Sequence, residues 1–350
     1  MPSHMSVRST ALEPPEGVAA SRKLLTVYGM VLVTAALFLL FALLSPETFA
    51  TGLNFRLLAA GNAVPLVLAV AVTVPMIAGK IDLSVGYALG LWQVLALSLQ
   101  LAGIDYRLVI ALVLLGGSLV GLLNALLVEL AQVDAFVATL ATGQVIFAIT
   151  YWYTEGKQVV DADGARAAYF DAIATWSFGP VPGPFVVALV LVAALWFVLE
   201  YLPVGRCLYA VGANPRAAEL TGIARRRYVV GSMVTSGVLS AIAGIMLSAR
   251  QGGVAQANIG PEFLLPALAA AFLGSTTIRP GRVNAWGTLL GVLITAIGIS
   301  GLQHLLPGRF YLEPLFNGLT LVAAITIASL ASRKRLARAE KHRPSAGEES

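Results

Sequence analysis

Charge is scarce in this chain. Asp, Glu, Lys and Arg make up 12% of its 350 residues, against roughly 25% in soluble domains. Apolar residues make up 58%, and the mean hydropathy is +0.82. No single globular core could bury so much apolar surface, so lipid is the solvent the composition implies. Cysteine is nearly absent: Cys207 stands alone, which excludes a disulfide framework and a cysteine metal cluster. The three histidines, His4, His304 and His342, are scattered and offer no clustered metal ligands. No G-x-x-x-x-G-K-[ST] phosphate loop occurs, so nothing in the chain is suited to cradling a nucleotide's phosphates.

What the chain has is long apolar runs. Runs of roughly 17–25 residues read as membrane-spanning helices, and they fall at 24–44, 57–78, 85–103, 108–130, 135–153, 185–202, 229–247, 263–274, 285–303 and 315–331. The fold class predicted is therefore all-α and polytopic, with about ten spans. The eighth run is short and interrupted by Pro266, which predicts a broken or re-entrant helix. The first run is too long for a cleaved signal peptide and lacks a small-residue cleavage site. With the N-terminus inside, Arg56, Arg107, Lys157, Arg166, Arg250 and Arg309 fall outside, leaving 17 of the 23 basic residues inside. That asymmetry sets the orientation and accounts for the net charge of +5 without nucleic acid. The expected organisation is a polar tail at 1–20, a spanning domain at 21–335 and a second polar tail at 336–350. Both tails are expected to be disordered and on the cytoplasmic side of the membrane. Two connections are long: 154–184 outside and the basic 203–228 inside.

The stretch "AGKIDLSVG" (78–86) breaks the apolar pattern between the second and third spans. Gly79 permits the turn. Asp82 precedes the third span, where its carboxylate can accept from free amides and meet the positive helix end. Lys80 can reach the inner headgroups, so no ion pair between the two is required. Ile81, Leu83 and Ser84 complete the motif, and Gly86 with Gly90 allows close helix contact. A gating or solute-binding role for Asp82 is the alternative. The small-residue pairs Gly117/Gly121 and Gly287/Gly291 read as tight helix packing. The amides Asn62, Gln93, Asn124, Gln144 and Asn317 lie within spans, where they either bond neighbouring helices or line a pathway. No acidic residue sits mid-span, which argues against a proton-driven carrier. The second span runs inward into "AGKIDLSVG" and the seventh outward into "ARQGGVAQANIG" (249–260), a pairing that predicts a 5+5 inverted repeat.

Within the inner connection, "GANPRAAELTGI" (212–223) reads as a complete short helix. Asn214 is a good N-cap, Pro215 suits the first helical position, and Gly222 can end the helix in the left-handed region. Arg216, Ala217, Ala218, Glu219, Leu220 and Thr221 lie between. Two turns are not stable alone, so the helix must be held by its own protein or by a partner; a plain connector is the bland reading. Ala217 and Ala218 would leave room for a groove on the partner, with Leu220 one turn beyond Ala217 on the same face.

With "GKIDLSVG", "VDAFVATLATGQVIF" (133–147), "GRCLYAVGANPRAAELTGI" (205–223), "SGVLSAIAGIMLSAR" (236–250) and "FLGSTTIRPGRVNAWGTLLGVLI" (272–294), the chain resembles the permease subunits of ABC importers for ribose, xylose and related sugars. The likeness covers nearly all of 45–330. It implies a spanning subunit with no cofactor of its own, ATP and Mg being bound by partner ATPase subunits. It also implies an extracytoplasmic binding protein and a second permease, an identical copy or a paralogue, with 214–222 as the coupling helix. The chain departs from the family at Lys80, where a glycine is usual, at "IRPGR" (278–282), and in 258–275, where an Asp is lost and Pro261 and Pro266 are gained. A secondary carrier and an integral-membrane enzyme are the competing classes. The first would work alone, and the second would need clustered catalytic groups.

Overall fold

A computed structural model describes residues 16–276 and 282–341. Most of the "IRPGR" segment and the outer parts of both tails lie outside the described residues. The elements run α1 (Glu16–Leu44), α2 (Gly52–Ile77), α3 (Ser84–Leu101), α4 (Tyr106–Glu129), α5 (Ala135–Thr154), β1 (Val159–Val160), α6 (Ala168–Thr175), β2 (Ser177–Phe178), β3 (Val181–Pro182), α7 (Gly183–Tyr201), α8 (Pro203–Ala213), α9 (Pro215–Leu220), α10 (Arg225–Arg250), β4 (Val254–Ala255), α11 (Gly260–Gly274), α12 (Ala285–Leu305) and α13 (Leu312–Lys341). The ten apolar runs correspond to α1 to α5, α7 and α10 to α13. Among the described residues, seven helices are long and apolar enough to cross a membrane, and the stretches Tyr28–Leu44, Gly260–Gly274 and Leu312–Ile327 are shorter. Helix begins at Glu16 and persists to Lys341, inside both expected tails. The long connections are also more ordered than their loop reading: one carries α6 and three short strands, and the other carries α8 ahead of α9.

The helix ends follow from local chemistry. Thr51 accepts from Asn54 N at 3.1 Å, Asp105 from Arg107 N at 2.9 Å, and Asn284 from Gly287 N at 2.7 Å. Such side-chain caps satisfy first-turn amides. Helix α2 is stopped just before Gly79, whose φ of +75° is open to glycine. The turn is closed by Gly79 N donating to Met76 O (3.1 Å) and Lys80 N to Pro75 O (2.9 Å), the paired bonds of a left-handed helix stop.

Helix α2 is buried almost without interruption from Ala63 to Pro75, as expected of a helix apolar on every side. Helix α10 lies against α2, α3 and α4, and α11 lies against α2, α3, α12 and α13. Outward-facing Leu43, Leu319 and Val322 on α1 and α13 are exposed, consistent with a lipid-facing rim. The closest crossing joins α4 and α10. A Cβ on Gly121 would sit 2.8 Å from Val234 Cα, and Gly117 and Gly237 bring their backbones together.

Two breaks lie on opposite faces. The segment after α2 meets α8, where a Cβ on Gly79 would lie 3.5 Å from Gly212 Cα. The segment after α10 pairs with the other long connection, Val159 opposite Ala255 and Val160 opposite Val254. Helices α3 and α11 meet at their first turns, through Gly86 and Gly90 against Gly260, and run in opposite directions from there. Packing repeats between the halves: α3 on α5 corresponds to α11 on α13, α10 on α4 to α2 on α12, and α10 on α3 to α2 on α11. This is the pattern of a 5+5 inverted repeat. The outermost helices depart from it, since α7 packs on α2 whereas α1 packs on α12.

Gly121→Val should therefore push α4 from α10 and destabilise the fold by about 1–3 kcal/mol, the usual range for overpacking. Gly231→Ala, where an added Cβ meets nothing within 4 Å, should be tolerated. Thermal unfolding followed by size-exclusion chromatography in detergent checks both.

Candidate functional site

Three polar places stand out in this apolar body. The first is the break before α3. Asp82 is wholly buried. Its Oδ1 accepts from Ser84 N (3.0 Å) and from the Ser84 hydroxyl (2.6 Å), while Asn124 Nδ2 donates to Ser84 Oγ (2.7 Å). The capping expected of Asp82 is thus made to the first residue of α3. It is made inside the protein rather than at a headgroup boundary. Asp82 forms no ion pair with Lys80, which is half-buried, and the buried Ser236 hydroxyl of α10 lies beside its carboxylate; Asn124 Oδ1 has no hydrogen-bond partner among the described residues. Leu83 N donates to Thr139 Oγ1 of α5 at 3.0 Å, so the break is tied to a second helix.

The second place is α9. Asn214 Oδ1 accepts from Ala217 N at 3.0 Å, and Pro215 occupies the first helical position. Gly222 has φ +84°, and Ile223 N donates back to Ala218 O at 3.0 Å. The short helix has both of its expected ends. Its faces differ from expectation. Ala218 is buried against Val211 and Val229 of the same chain, so it cannot offer space to a partner. The reason is the 100° step: the face that holds a six-residue helix to its own protein needs a small residue too. Pro215, Arg216, Ala217 and Leu220 face out, Leu220 being 84% exposed. Arg225 fixes the helix from the side. Its Nε donates to Glu219 Oε1 at 2.7 Å and its Nη1 to Glu129 Oε1 at 2.9 Å. The Glu129 side chain is only 2% exposed. The fork of a guanidinium suits such a two-carboxylate link. Helix α8 completes the support, because Gly212 has no room for a side chain against the Ile77 carbonyl.

The third place is a cavity of about 560 Å³ on the side of the second break, walled by α2, α11, α12 and α13 and by Arg250 at the end of α10. Of the five amides singled out from sequence, Asn62 and Asn317 line it. The other three bond protein: Gln93 pairs with Gln251, Asn124 with Ser84, and Gln144 with Tyr87. Sequence reading missed Arg250, Glu262 and Glu313 in this lining. Their signal was a charge standing at a span end.

Two contrasts test the polar links. Arg225→Ala should be strongly destabilising, on the order of 3–5 kcal/mol, because it leaves a buried carboxylate unpaired, whereas Glu219→Ala, which removes an exposed pair, should lose about 0.2–1 kcal/mol. Asp82→Asn should keep the acceptor for Ser84 and unfold near the parent temperature. Asp82→Ala strands two buried donors and should lose about 1–3 kcal/mol. Thermal melts of the four purified variants decide.

The family model described as branched-chain amino acid transport system / permease component matches residues 55–330. The chain is 32% identical to the ribose import permease of Haemophilus influenzae over 304 residues, covering 86% of this chain and 93% of that protein. It is 33% identical to the ribose import permease of Bacillus subtilis over 292 residues, 83% of this chain and 89% of that one. It is 30% identical to the D-allose transport system permease of Escherichia coli over 308 residues, 87% and 92% of the two chains. No solved structure matches the chain. With the family model spanning most of its length and relatives aligned nearly end to end, this chain belongs to the permease-component family of these import systems.

Proposed function

We propose that the chain is the membrane-spanning permease subunit of an ATP-driven importer for a monosaccharide or related polyol. It works with separate ATPase subunits, an extracytoplasmic binding protein and a second permease. The relatives named for ribose and allose import support the solute class. The Lys and Arg distribution supports a cytoplasmic position for the α9 face and for both termini.

The observation that carries the reading is α9 itself: a doubly capped helix, fixed to the body by Arg225 and Ala218, that leaves an 84% exposed leucine facing out. An apolar side chain on a short helix suits a groove on a soluble partner. Glu219 is engaged within the chain, so Leu220 rather than Glu219 is the anchor for the ATPase. Closure of the ATPase pair around nucleotide then moves α9. The Gly212–Ile77 contact carries that displacement to the break that leads into α3, and Arg225 carries it to α4 and α10. Alternating access follows as those helices tip, opening the pathway outward for solute from the binding protein and inward after hydrolysis.

Leu220→Asp should abolish co-purification of the ATPase encoded with this chain and the ATP hydrolysis that the binding protein stimulates, while the purified subunit keeps its melting temperature. Undiminished co-purification and stimulation would overturn α9 as the docking element. The subunit alone should not hydrolyse ATP.

A further inference from the structure

We propose that a groove between α7 and α10 holds an anionic phospholipid of the cytoplasmic leaflet, with an acyl chain in the groove and the phosphate at Arg227. The proposal goes beyond the importer reading and takes from it only the cytoplasmic position of α9. The groove has a volume of about 840 Å³ and is walled by α2, α7, α8 and α10 and by the connection from α9 to α10. Its floor is buried and apolar, with Val70, Val74 and Leu239. One side stays open along Arg227, Gly231 and Thr235, three exposed positions one turn apart on α10. A Cβ on Gly231 would meet nothing within 4 Å.

The lining suits an apolar occupant. Ser232 Oγ donates to Val229 O at 2.7 Å and Thr235 Oγ1 to Gly231 O at 2.8 Å, so both hydroxyl protons are spent on their own helix. Among the described residues, no buried polar atom that lacks a partner belongs to this lining. A space left empty between helices would forfeit the dispersion contacts of its walls, and in a bilayer the filler at hand is an acyl chain. The reach agrees. Arg227 and Leu239 stand twelve positions apart on α10, about 18 Å at 1.5 Å per residue, against about 15 Å for one leaflet of a hydrocarbon core of roughly 30 Å.

The charge at the mouth chooses the headgroup. Arg227 is the one charged residue in the lining, is exposed, and makes no ion pair among the described residues. Its neighbour Arg225 is committed to Glu129 and Glu219. A free cation where a spanning helix meets the cytoplasm attracts anionic headgroups, and basic pockets between spanning helices hold such lipids. A second copy of this chain suits the mouth less well. Its connection 203–228 carries five arginines against one acid, Glu219, and would set cation against cation. The occupant also bears on α9, because Gly222, Ile223 and Ala224, which join α9 to α10, form the end wall of the groove. A bound lipid packs against the link that carries the short helix.

Cys207 lines the groove and is the one cysteine of the chain, which makes it a native reporter. The full-length protein is placed in nanodiscs of phosphatidylcholine, with and without phosphatidylglycerol, and treated with a membrane-permeant maleimide. Phosphatidylglycerol should slow the reaction of Cys207 about fivefold, the attraction of one basic residue for an anionic headgroup. Arg227→Gln should remove that protection. Arg226→Gln, equally exposed but absent from the lining, should leave it intact. Gly231→Trp, which fills the groove with the chain's own side chain, should slow the reaction in both lipids; the arginine pair decides even if this variant does not fold. Native mass spectrometry should show one phosphatidylglycerol retained by the parent and by Arg226→Gln and lost from Arg227→Gln. Protection that survives Arg227→Gln, or that falls equally in Arg226→Gln, overturns the proposal, since the basic surface at large then holds the lipid. Equal rates for the parent in the two lipids also overturn it, and a dimeric mass in that case assigns the groove to a second copy. The readout needs neither ATPase nor binding protein, so it can fail while Leu220→Asp still uncouples the subunit, and it can succeed if α9 proves to be only a connector.

Discussion

A helix that breaks inside a membrane frees backbone amides and carbonyls that lipid cannot satisfy, and the rest of this structure is arranged around that constraint. After α2 the freed groups are met one by one. Pro75 O takes Lys80 N, Thr139 Oγ1 takes Leu83 N, and Asp82 takes Ser84 N. After α10, β4 pairs with β1, and Gly253 O accepts from Asp161 N at 2.8 Å. Helices α3 and α11 then start against each other with glycine on both sides. A Cβ on Gly86 would lie 2.7 Å from Leu264 Cβ, and one on Gly260 would strike the Gly86 carbonyl. Covering both breaks with protein requires that approach, and the approach requires glycine.

The ten apolar helices were legible because lipid makes hydropathy a strong signal: α4 at Tyr106–Glu129 and α5 at Ala135–Thr154 lie within two residues of their apolar runs. The ends of α9 were legible too, since Asn214, Pro215 and Gly222 each act through local backbone chemistry. What sequence did not give is which side of α9 faces home. Two adjacent alanines look alike until Val211 and Val229 arrive from other helices. The same holds for Arg225. In sequence it is one of three consecutive arginines before a span, and only folding brings Glu129, 96 positions away, to its Nη1. Asp82 lay between these cases. Its bond to Ser84 is local and was readable, whereas its complete burial depends on α4, α5 and α10 closing over the break. Helix α8 escaped notice because Pro203–Ala213 is too short to span and carries Gly205, Arg206 and Gly212, which let it pass for loop.

Helix α10 joins the two ends of the argument. Its first residue, Arg225, grips α9 through Glu219, and its last, Arg250, borders the polar cavity. The 26 residues from Arg225 to Arg250 form one helix, about 39 Å long at 1.5 Å per residue. No proline interrupts it, whereas α2, equally long, contains Pro65 and Pro75. An unbroken helix packed closely on α4 through Gly117, Gly121 and Gly237 moves as a rod and transmits tilt rather than absorbing it. A displacement imposed at Arg225 therefore reaches Arg250 on the opposite face without any second messenger in the fold. Because α10 is also a wall of the contact that buries Asp82, beside Ser236 and Ser240, the same tilt acts on the first break and on the surroundings of the second. One rigid helix bearing an arginine at each end links the α9 face to the cavity.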